Sequence, residues 1–335
     1  MSAVAGDTAS IVSAQVMRRW QAIDPLLPVP GASSPGCGTR LIVAGSGGQP
    51  AAIGTCDHWE AAPGSLDLSW GAARRFQLTA QVAGPDVANA LDKLLSLWRD
   101  HLACVPGADD EDTAAVVTWP SRDIDGIATL LRRGLVPLEV IAARTTRRHP
   151  AGPPRRADVA GGAALAAGTA AEGLRIRRAG PPDIDAVVRL GLEVVRFDAH
   201  FGGVTERPDT ADALRREAAW LVPGPEAWTW LAERDGTAIG MLAAQRPESA
   251  GWIAPMAGPA PVAYLMLMFV LPGERGSGVG AALVDRLHSE IDAAGVAVTL
   301  LHYAQFNPLS APFWNQQGYR PLWTSWEARA ARAIR

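Results

Sequence analysis

A glycine-rich segment between an apolar run and an amphipathic helix constrains the fold of this 335-residue chain more than any other feature. The segment reads Arg275-Gly-Ser-Gly-Val-Gly280, and the apolar run before it ends at Val270. Glycines spaced two residues apart remove Cβ atoms where the chain turns, so a ligand can approach the backbone closely. The first N–H groups of the following helix lack intrahelical partners, and the helix dipole adds positive charge there. The segment therefore predicts a strand, a loop and a helix that together bind a phosphate group.

Three kinds of phosphate-binding loop are candidates for this segment. A P-loop requires Lys and then Ser or Thr after its last glycine, whereas two alanines follow here. The dinucleotide-binding fingerprint fits formally as Gly276-x-Gly278-x-x-Ala281, but it expects its first glycine almost directly after the strand and an acidic residue about 20 residues later. Residues 295–301 contain neither Asp nor Glu. The remaining pattern, Arg-x-x-Gly-x-Gly after a strand, matches the segment from Arg275 onwards.

The second half of the chain predicts one mixed α/β domain. Helical spacing of apolar residues, a helix start at Pro182-Asp183 and a hairpin turn at Asp235-Gly236 locate its elements. Short strands that alternate with helices are typical of an α/β domain. We predict strands over residues 174–178, 228–233, 237–244, 264–270, 297–303 and 322–327, and helices from 182 and over 210–221, 278–294 and 310–317.

The first half resembles a degenerate copy of the second. Both halves end with a strand, a helix that stops at glycine, and a further strand, so we interpret them as a duplication. The first half predicts strands over 76–82, 114–119 and 139–144, a helix over 85–102 and a short N-terminal helix to about residue 22. At a constant offset of 184 positions the matched pairs are Asp123/Asn307, Gly134/Gly318, Pro137/Pro321 and Leu138/Leu322.

A Pro/Gly/Ala-rich stretch separates the two halves. Residues 147–172 contain only Val159 and Leu165 as large apolar side chains, too few to offset the entropy of ordering the segment. We therefore expect domains over 1–146 and 173–335, joined by a linker over 147–172.

A second pattern follows the glycine loop, and the two together carry a resemblance. Residues 307–319 read Asn-x-x-Ser-x-x-Phe-Trp-x-x-x-Gly-Tyr. The two segments resemble the GNAT superfamily of acyl-coenzyme A-dependent N-acetyltransferases, whose corresponding helix reads Asn-x-x-Ala-x-x-Phe-Tyr-x-x-x-Gly-Phe. The resemblance covers Leu174 to about Glu327. Two copies of which one is degenerate are similar to the tandem GNAT proteins of actinobacteria.

The resemblance implies a fold, a donor and a set of contacts. It implies an α/β protein of two tandem GNAT-like domains, each a mixed, mostly antiparallel sheet flanked by helices. It implies acetyl-CoA as acyl donor, with the pyrophosphate on the backbone of residues 275–281, the pantetheine along 268–270 and Asn307 near the arm. The implied coenzyme-binding residues are Met268, Phe269, Val270, Arg275, Gly276, Ser277, Gly278, Val279, Gly280, Ala281, Asn307, Ser310 and Trp314.

The first half lacks the coenzyme loop. Only residues 83–86 separate its central strand from the next helix, and they contain no Arg-x-x-Gly-x-Gly. Pro85 removes a donor, and the carboxylate of Asp86 repels phosphate. We therefore predict one coenzyme per chain.

The proton-transfer groups that often serve in the family are missing. The strand before the glycine loop carries no carboxylate to act as base, and Trp314 stands where a tyrosine often serves as acid. Tyr303 and His302 close the preceding strand, and because strand neighbours face opposite ways only one can enter the cleft. We predict Tyr303 as proton donor, with His302 as the alternative.

The loop between the first two helices of the second half supplies the acceptor candidates. Asp198 and His200 are predicted to hold or deprotonate the acceptor, although an exposed loop Asp or His is as often simply solvated. A transfer that depends mostly on proximity needs no single essential residue.

Composition limits the partners. The formal net charge is −3 with a hydrophobic content of 48%, which excludes a disordered chain and disfavours nucleic acid as partner. Three cysteines without CxxC spacing favour a reducing compartment, no apolar run is long enough to span a bilayer, and the first residues lack a signal peptide. We expect a cytoplasmic protein without metal or membrane contact, a monomer or homodimer.

The expected function is transfer of an acetyl or short acyl group to a small-molecule amine by direct attack in a ternary complex. Two alternatives remain open. The missing carboxylate and Trp314 fit a catalytically silent acyl-CoA-binding sensor or scaffold, and a wide acidic groove would instead favour a protein amine as acceptor.

Overall fold

The computed structural model describes residues 2–29, 38–45, 50–146, 173–223 and 227–335. The predicted linker over 147–172 lies outside these residues. The α-helices among them are α1 Ser2–Ile23, α2 Val87–Ala103, α3 Ile124–Arg132, α4 Ile184–Asp198, α5 Thr210–Leu221, α6 Val279–Ala293 and α7 Ser310–Gln316. The strands are β1 Thr39–Ala44, β2 Pro50–Glu60, β3 Arg74–Val82, β4 Thr113–Pro120, β5 Val136–Thr145, β6 Leu174–Arg178, β7 Trp228–Arg234, β8 Thr237–Gln245, β9 Val262–Val270, β10 Val298–Ala304 and β11 Arg320–Ala328.

The predicted elements of both halves are present, and the halves repeat one order of elements. In the first half α2 connects the parallel strands β3 and β4, and α3 leads to β5. In the second half α6 connects the parallel strands β9 and β10, and α7 leads to β11. The antiparallel strands β1 and β2, which the sequence did not predict, correspond to β7 and β8.

All the strands form one continuous sheet in which the halves exchange their last strands. The strand order is β1-β2-β3-β4-β11-β5-β10-β9-β8-β7-β6. Strand β11 of the second half pairs antiparallel with β4 and β5, and β5 of the first half pairs antiparallel with β10. Each half therefore completes the sheet of the other.

The parallel strands β9 and β10 diverge part-way along their length. Their register runs from Val298 opposite Val262 to Leu301 opposite Leu265 and then ends, although both strands continue. A β-bulge at Met266 on the β8 side marks the same point and bends the strand. Beyond it, the backbone of residues 266–270 has no strand partner on the β10 side, so a wedge-shaped opening separates the two strands.

The corresponding opening in the first half is filled by α1. Strands β3 and β4 also diverge, after Leu78 pairs with Val117. Arg19 of α1 reaches into the gap, where its Nη1 donates to the carbonyl oxygen of Val82 at 3.0 Å. Its Nη2 forms an ion pair with Asp123, whose side chain is only 2% exposed. The chain's own helix thus occupies the first half's opening.

One backbone N–H group at the N-terminus of α2 is also capped by a side chain. The Asp86 carboxylate accepts a hydrogen bond from the Asn89 backbone N–H at 3.1 Å and so caps the helix. Where the second half exposes helix-start N–H groups, the first half covers one with its own side chain.

Candidate acyl-donor and acceptor cleft

The glycine loop of the second half forms an open backbone cradle. Gly276 and Gly278 have φ angles of 79° and 87°, in the left-handed region that favours glycine. A Cβ atom built on either residue would meet nothing within 4 Å, so the space beside the loop is free. Gly278 is the N-cap of α6, and the first N–H groups of that helix therefore border an open site. The arrangement suits an anion that contacts backbone donors.

Arg275 turns its side chain back onto the protein instead of towards the cradle. Its Nε donates to the carbonyl oxygen of Val270 at 3.1 Å. Its guanidinium carbon lies 4.7 Å from the ring centroid of Phe197 and 5.3 Å from that of Phe269. The side chain therefore links the end of β9 to α4, and anion binding at the loop depends mainly on the backbone.

The loop opens into a cleft of about 880 Å³ that continues between β9 and β10. Most of the predicted site residues line it, whereas three do not. Val279 is fully buried beneath the helix start, the Ser277 hydroxyl donates to the Glu274 carbonyl at 2.7 Å, and His200 is exposed outside the cleft. The predicted residues that line the cleft are Met268, Phe269, Val270, Arg275, Gly276, Gly278, Gly280, Ala281, Asn307, Ser310, Trp314, Asp198, His302 and Tyr303.

His200 has a local structural contact. Its Nδ1 lies 3.0 Å from the carbonyl oxygen of Arg196 and 3.1 Å from that of Phe197, at the C-terminal end of α4. The ring therefore satisfies helix-end carbonyl groups, and the structure does not bring it to Asp198 in the cleft.

Asp198 and Asn307 are joined at the centre of the cleft. The Asn307 Nδ2 donates to Asp198 Oδ1 at 3.0 Å, and the Asn307 Oδ1 accepts from the Leu309 backbone N–H at 3.0 Å. Burial, together with the nearby carboxylate of Glu139, raises the pKa of Asp198 to about 6, against the opposing effect of the Asn307 bond. Asp198 is therefore a carboxyl group that changes charge close to neutral pH.

Two side chains flank the point where β9 and β10 separate. His302 and Tyr303 directly follow Leu301, the last residue of β10 that pairs with β9, and they point to opposite faces of the sheet. Tyr303 is 8% exposed and packs in the core beneath α6 and α7. Burial raises the pKa of its phenol, and its hydroxyl has no hydrogen-bond partner among the described residues. The prediction that only one of the pair reaches the cleft is wrong, because both line it at the separation point.

His302 lies on the opposite face in an aromatic setting. Its Nδ1 is 2.9 Å from the hydroxyl of Tyr264, and its ring stacks on Trp252 with an interplanar angle of 8°. The ring is therefore held from two sides while it borders the cleft.

The first half supplies one wall of the cleft. Because β5 lies beside β10, Glu139 enters the cleft opposite Asp198, a placement that sequence reasoning missed. The segment around Leu66 also lines the cleft, and it is anchored to the start of α5 by the Ser69 and Thr210 hydroxyls, 2.8 Å apart. The first-half residues of the wall are Leu66, Asp67, Trp70, Arg75, Leu138 and Glu139.

The described residues contain no group of three or more His, Cys, Asp or Glu side chains placed to hold a metal ion. None of their helices combines the length and apolarity that crossing a membrane requires.

The chain is similar to known proteins in sequence and in fold. The family model described as acetyltransferase (GNAT) family matches residues 196–319. A GCN5-related N-acetyltransferase from Sphaerobacter thermophilus superposes with a TM-score of 0.51 at 15% identity, over 95% of this chain and 85% of that one. A search of curated proteins found no significant match.

Two further solved structures are similar over most of their length. A GNAT-family acetyltransferase from Colwellia psychrerythraea has a TM-score of 0.46 at 11% identity, over 94% of this chain and 95% of that one. A tandem GNAT protein from the clavulanic acid biosynthesis pathway has a TM-score of 0.40 at 14% identity, over 95% of each chain. The expected α/β fold of two tandem GNAT-like domains is confirmed. Residues 196–319 of this chain thus match the GNAT acetyltransferase family.

Proposed function

We propose that this protein transfers an acetyl or short acyl group from coenzyme A to a small-molecule amine, by direct attack in a ternary complex. The observation that carries the proposal is the opening between β9 and β10, which leads from the glycine cradle at Gly276 and Gly278 to the paired Asp198 and Asn307. Such an opening accepts an extended thioester whose anionic end lies at the N-terminus of α6. The family match supports acyl transfer in general.

The donor side of the site fits acetyl-CoA. The backbone of residues 275–281 offers N–H donors to the pyrophosphate, and the unpaired edge of 268–270 offers strand-like hydrogen bonds to the pantetheine amides. An added Cβ at Gly280 would lie 3.3 Å from the Phe313 ring, so the ring would have to shift by a few tenths of an ångström. Asn307, Ser310 and Trp314 border the arm from the other side.

The acceptor side is acidic, which supports a protonated amine as the ligand that arrives. Four lining carboxylates have no cation within ion-pair distance among the described residues. They are Asp67 and Glu139 from the first half and Asp198 and Glu217 from the second. Burial, with the nearby Asp67, raises the pKa of Glu217 as well. Negative potential concentrates a cationic acceptor in the cleft.

Asp198 is the proposed base and Tyr303 the proposed acid. Asp198 takes a proton from the acceptor, because a carboxylate whose pKa lies near 6 is better matched to proton transfer at neutral pH than an ordinary one. The neutral amine nitrogen then bonds to the thioester carbonyl carbon, its second proton passes to solvent water, and the carbon–sulfur bond breaks. The Tyr303 hydroxyl, which has no other partner among the described residues, donates its proton to the departing thiolate and is then reprotonated from solvent water.

The first half acts as a wall of the acceptor site and not as a second catalyst. We assign the domains to residues 1–146 and 173–335 with the linker over 147–172, and one coenzyme to each chain. The side chains of Arg19 and Asp86 support that stoichiometry, since they fill or cap the first half's corresponding positions. The proposed setting is the cytoplasm, where free thiols such as those of Cys56 and Cys104 persist.

A glycine pair tests the donor site. Gly278→Ala places a methyl group in the cradle, whereas Gly84→Ala changes a glycine with nearly the same φ, 84° against 87°, and equally open surroundings in the first half's loop. Both variants carry the same backbone strain, of about 1 kcal/mol. By calorimetry with acetyl-CoA, the wild type and Gly84→Ala bind one equivalent with equal affinity, and Gly278→Ala binds at least about tenfold more weakly.

Turnover is tested by thiol release from acetyl-CoA with a panel of amines. Release with a small amine supports the enzyme. Tight acetyl-CoA binding without thiol release in the presence of any small amine favours the sensor. Thiol release with protein lysines alone favours the protein acetyltransferase. Equal binding by Gly278→Ala and the wild type would show that the loop is not the donor site.

A further inference from the structure

We propose that Tyr264 is a positioning residue that holds His302 as the neutral imidazole with its proton on Nε2, and that this N–H group polarises the thioester carbonyl. The inference rests on the proposed function. It assigns a role to a buried tyrosine that proton transfer by Asp198 and Tyr303 does not use.

The proton position follows from counting donors and acceptors. The Tyr264 side chain is 9% exposed, and burial together with Glu139 raises the pKa of its phenol far above the usual value, so the hydroxyl keeps its hydrogen. Among the described residues its one hydrogen-bond partner is His302 Nδ1, at 2.9 Å. A buried hydroxyl hydrogen requires an acceptor, so Nδ1 must present its lone pair. In the neutral ring the proton then resides on Nε2.

The ring orientation is fixed as well as the tautomer. Trp252 stacks on His302 with ring centroids 6.2 Å apart, and it meets Tyr264 edge-on at 4.9 Å. The three rings form one packed group along the cleft wall. Since Nδ1 is bonded to the tyrosine, Nε2 is the nitrogen left for a ligand.

The position of the ring gives its N–H a use. His302 is the first residue of β10 beyond the last pair with β9, at the narrow end of the opening. A thioester that extends from the glycine cradle reaches this end with its reactive carbon. His302 shares its face of β10 with Leu300, on the side where Tyr264 packs, and Tyr303 lies on the other face with Leu301. The two residues therefore offer donors from opposite faces.

The chemistry requires no proton to leave His302. As the amine nitrogen bonds to the carbonyl carbon, the carbonyl π electrons move onto oxygen, and the Nε2–H donates a hydrogen bond to that oxyanion. When the carbon–sulfur bond breaks, the electrons return and the hydrogen bond weakens. Such a donor acts on charge that is present only in the transition state.

The first experiment observes the tautomer directly. Long-range ¹H–¹⁵N correlation spectra of the imidazoles distinguish a protonated Nε2 from a protonated Nδ1. In the wild type His302 shows a protonated Nε2 and a bare Nδ1, and Tyr264→Phe shifts the ring towards a mixture. A wild-type ring with its proton on Nδ1 overturns the proposal, as does a tautomer that Tyr264→Phe leaves unchanged.

The second experiment measures turnover in a double-mutant cycle. His302→Leu lowers kcat about 100-fold, and His302→Gln, which retains an N–H donor, loses less. Tyr264→Phe lowers kcat about tenfold with the acetyl-CoA affinity unchanged. In the His302→Leu background the tyrosine change has no further effect, because the hydroxyl acts through the ring. Equal tenfold losses in both backgrounds would show that Tyr264 acts independently and would overturn the assignment.

The control is Tyr319→Phe, which removes the hydroxyl of another buried tyrosine. That hydroxyl lies 3.3 Å from His288 Nε2 outside the cleft, so kcat is expected to match the wild type. A Tyr319→Phe loss as large as that of Tyr264→Phe would attribute both to packing and overturn the proposal. If no amine releases thiol from acetyl-CoA, the proposed function fails and this role fails with it. If turnover is normal but His302 carries its proton on Nδ1, only the role proposed for Tyr264 and His302 is refuted.

Discussion

Replacing Asp198 by asparagine is expected to stabilise the protein and inactivate it together. Folding raises the pKa of this carboxyl from its ordinary 3.8 to about 6, a differential interaction of about 3 kcal/mol between its charged and neutral forms. Because the folded pKa is the higher, the carboxyl contributes its full stability below pH 3.8 and loses it as the pH rises to 6. Asparagine keeps an oxygen for the Asn307 bond without the charge. At pH 7 the Asp198→Asn variant should gain up to about 3 kcal/mol in unfolding free energy.

Urea unfolding at two pH values measures the stability part. At pH 7 the variant should unfold at higher urea than the wild type, and near pH 3.5 the difference should vanish because both side chains are neutral. Asp185→Asn removes an exposed carboxylate from the same helix and is the control, with no gain expected at pH 7. A less stable Asp198→Asn protein at pH 7 would refute the reasoning about its burial.

The pH dependence of kcat/KM for the amine measures the catalytic part. Because the amine arrives protonated and ionised Asp198 removes its proton, log kcat/KM for the wild type should be level above about pH 6 and should fall with a slope of one below it. The Asp198→Asn variant can use only amine that is already neutral, so its log kcat/KM should rise with a slope of one throughout, at a rate lower by about 100-fold or more. Glu139→Gln removes the neighbouring charge and should move the break to lower pH. A wild-type profile without a break would remove Asp198 from the role of base.

Two further changes separate catalysis from folding. Arg19→Ala leaves Asp123 buried without its ion pair, so we expect a loss of about 3 kcal/mol in unfolding free energy, measured in urea. Calorimetry should still find one acetyl-CoA per chain. A second bound equivalent would show that the first half's opening can hold coenzyme. Tyr303→Phe removes a hydroxyl that has no partner among the described residues. Thiol release should show a kcat about tenfold lower or more, and calorimetry should show the same acetyl-CoA dissociation constant. Full turnover would mean that water protonates the thiolate.

The local part of the structure follows from sequence patterns. Periodicity and turn residues predicted nearly every helix and strand after Arg74, because each depends on neighbours within a few residues. The cradle at Gly276 and Gly278 was predicted for the same reason, since glycine spacing and a following helix are both local features. Strands β1 and β2 were not predicted from the sequence, because apolar and polar residues alternate only weakly in them.

Contacts between distant segments were not predictable in the same way. Nothing near Glu139 in the sequence indicates that β5 pairs with β10, since that pairing depends on the other half. The contact of Arg19 with Val82, 63 residues away, likewise has no local signal. His200 shows the reverse case, because a polar residue close to Asp198 in sequence turns towards the helix-end carbonyls instead of the cleft.

Because β5 and β11 are exchanged, each half needs a strand of the other to complete its sheet. Deletion of the first half would leave β10 without its antiparallel neighbour and remove Glu139 from the cleft. Neither half could therefore be lost without disrupting the sheet of the other, and the chain resembles an interlocked pair of subunits that a single gene delivers in fixed proportion.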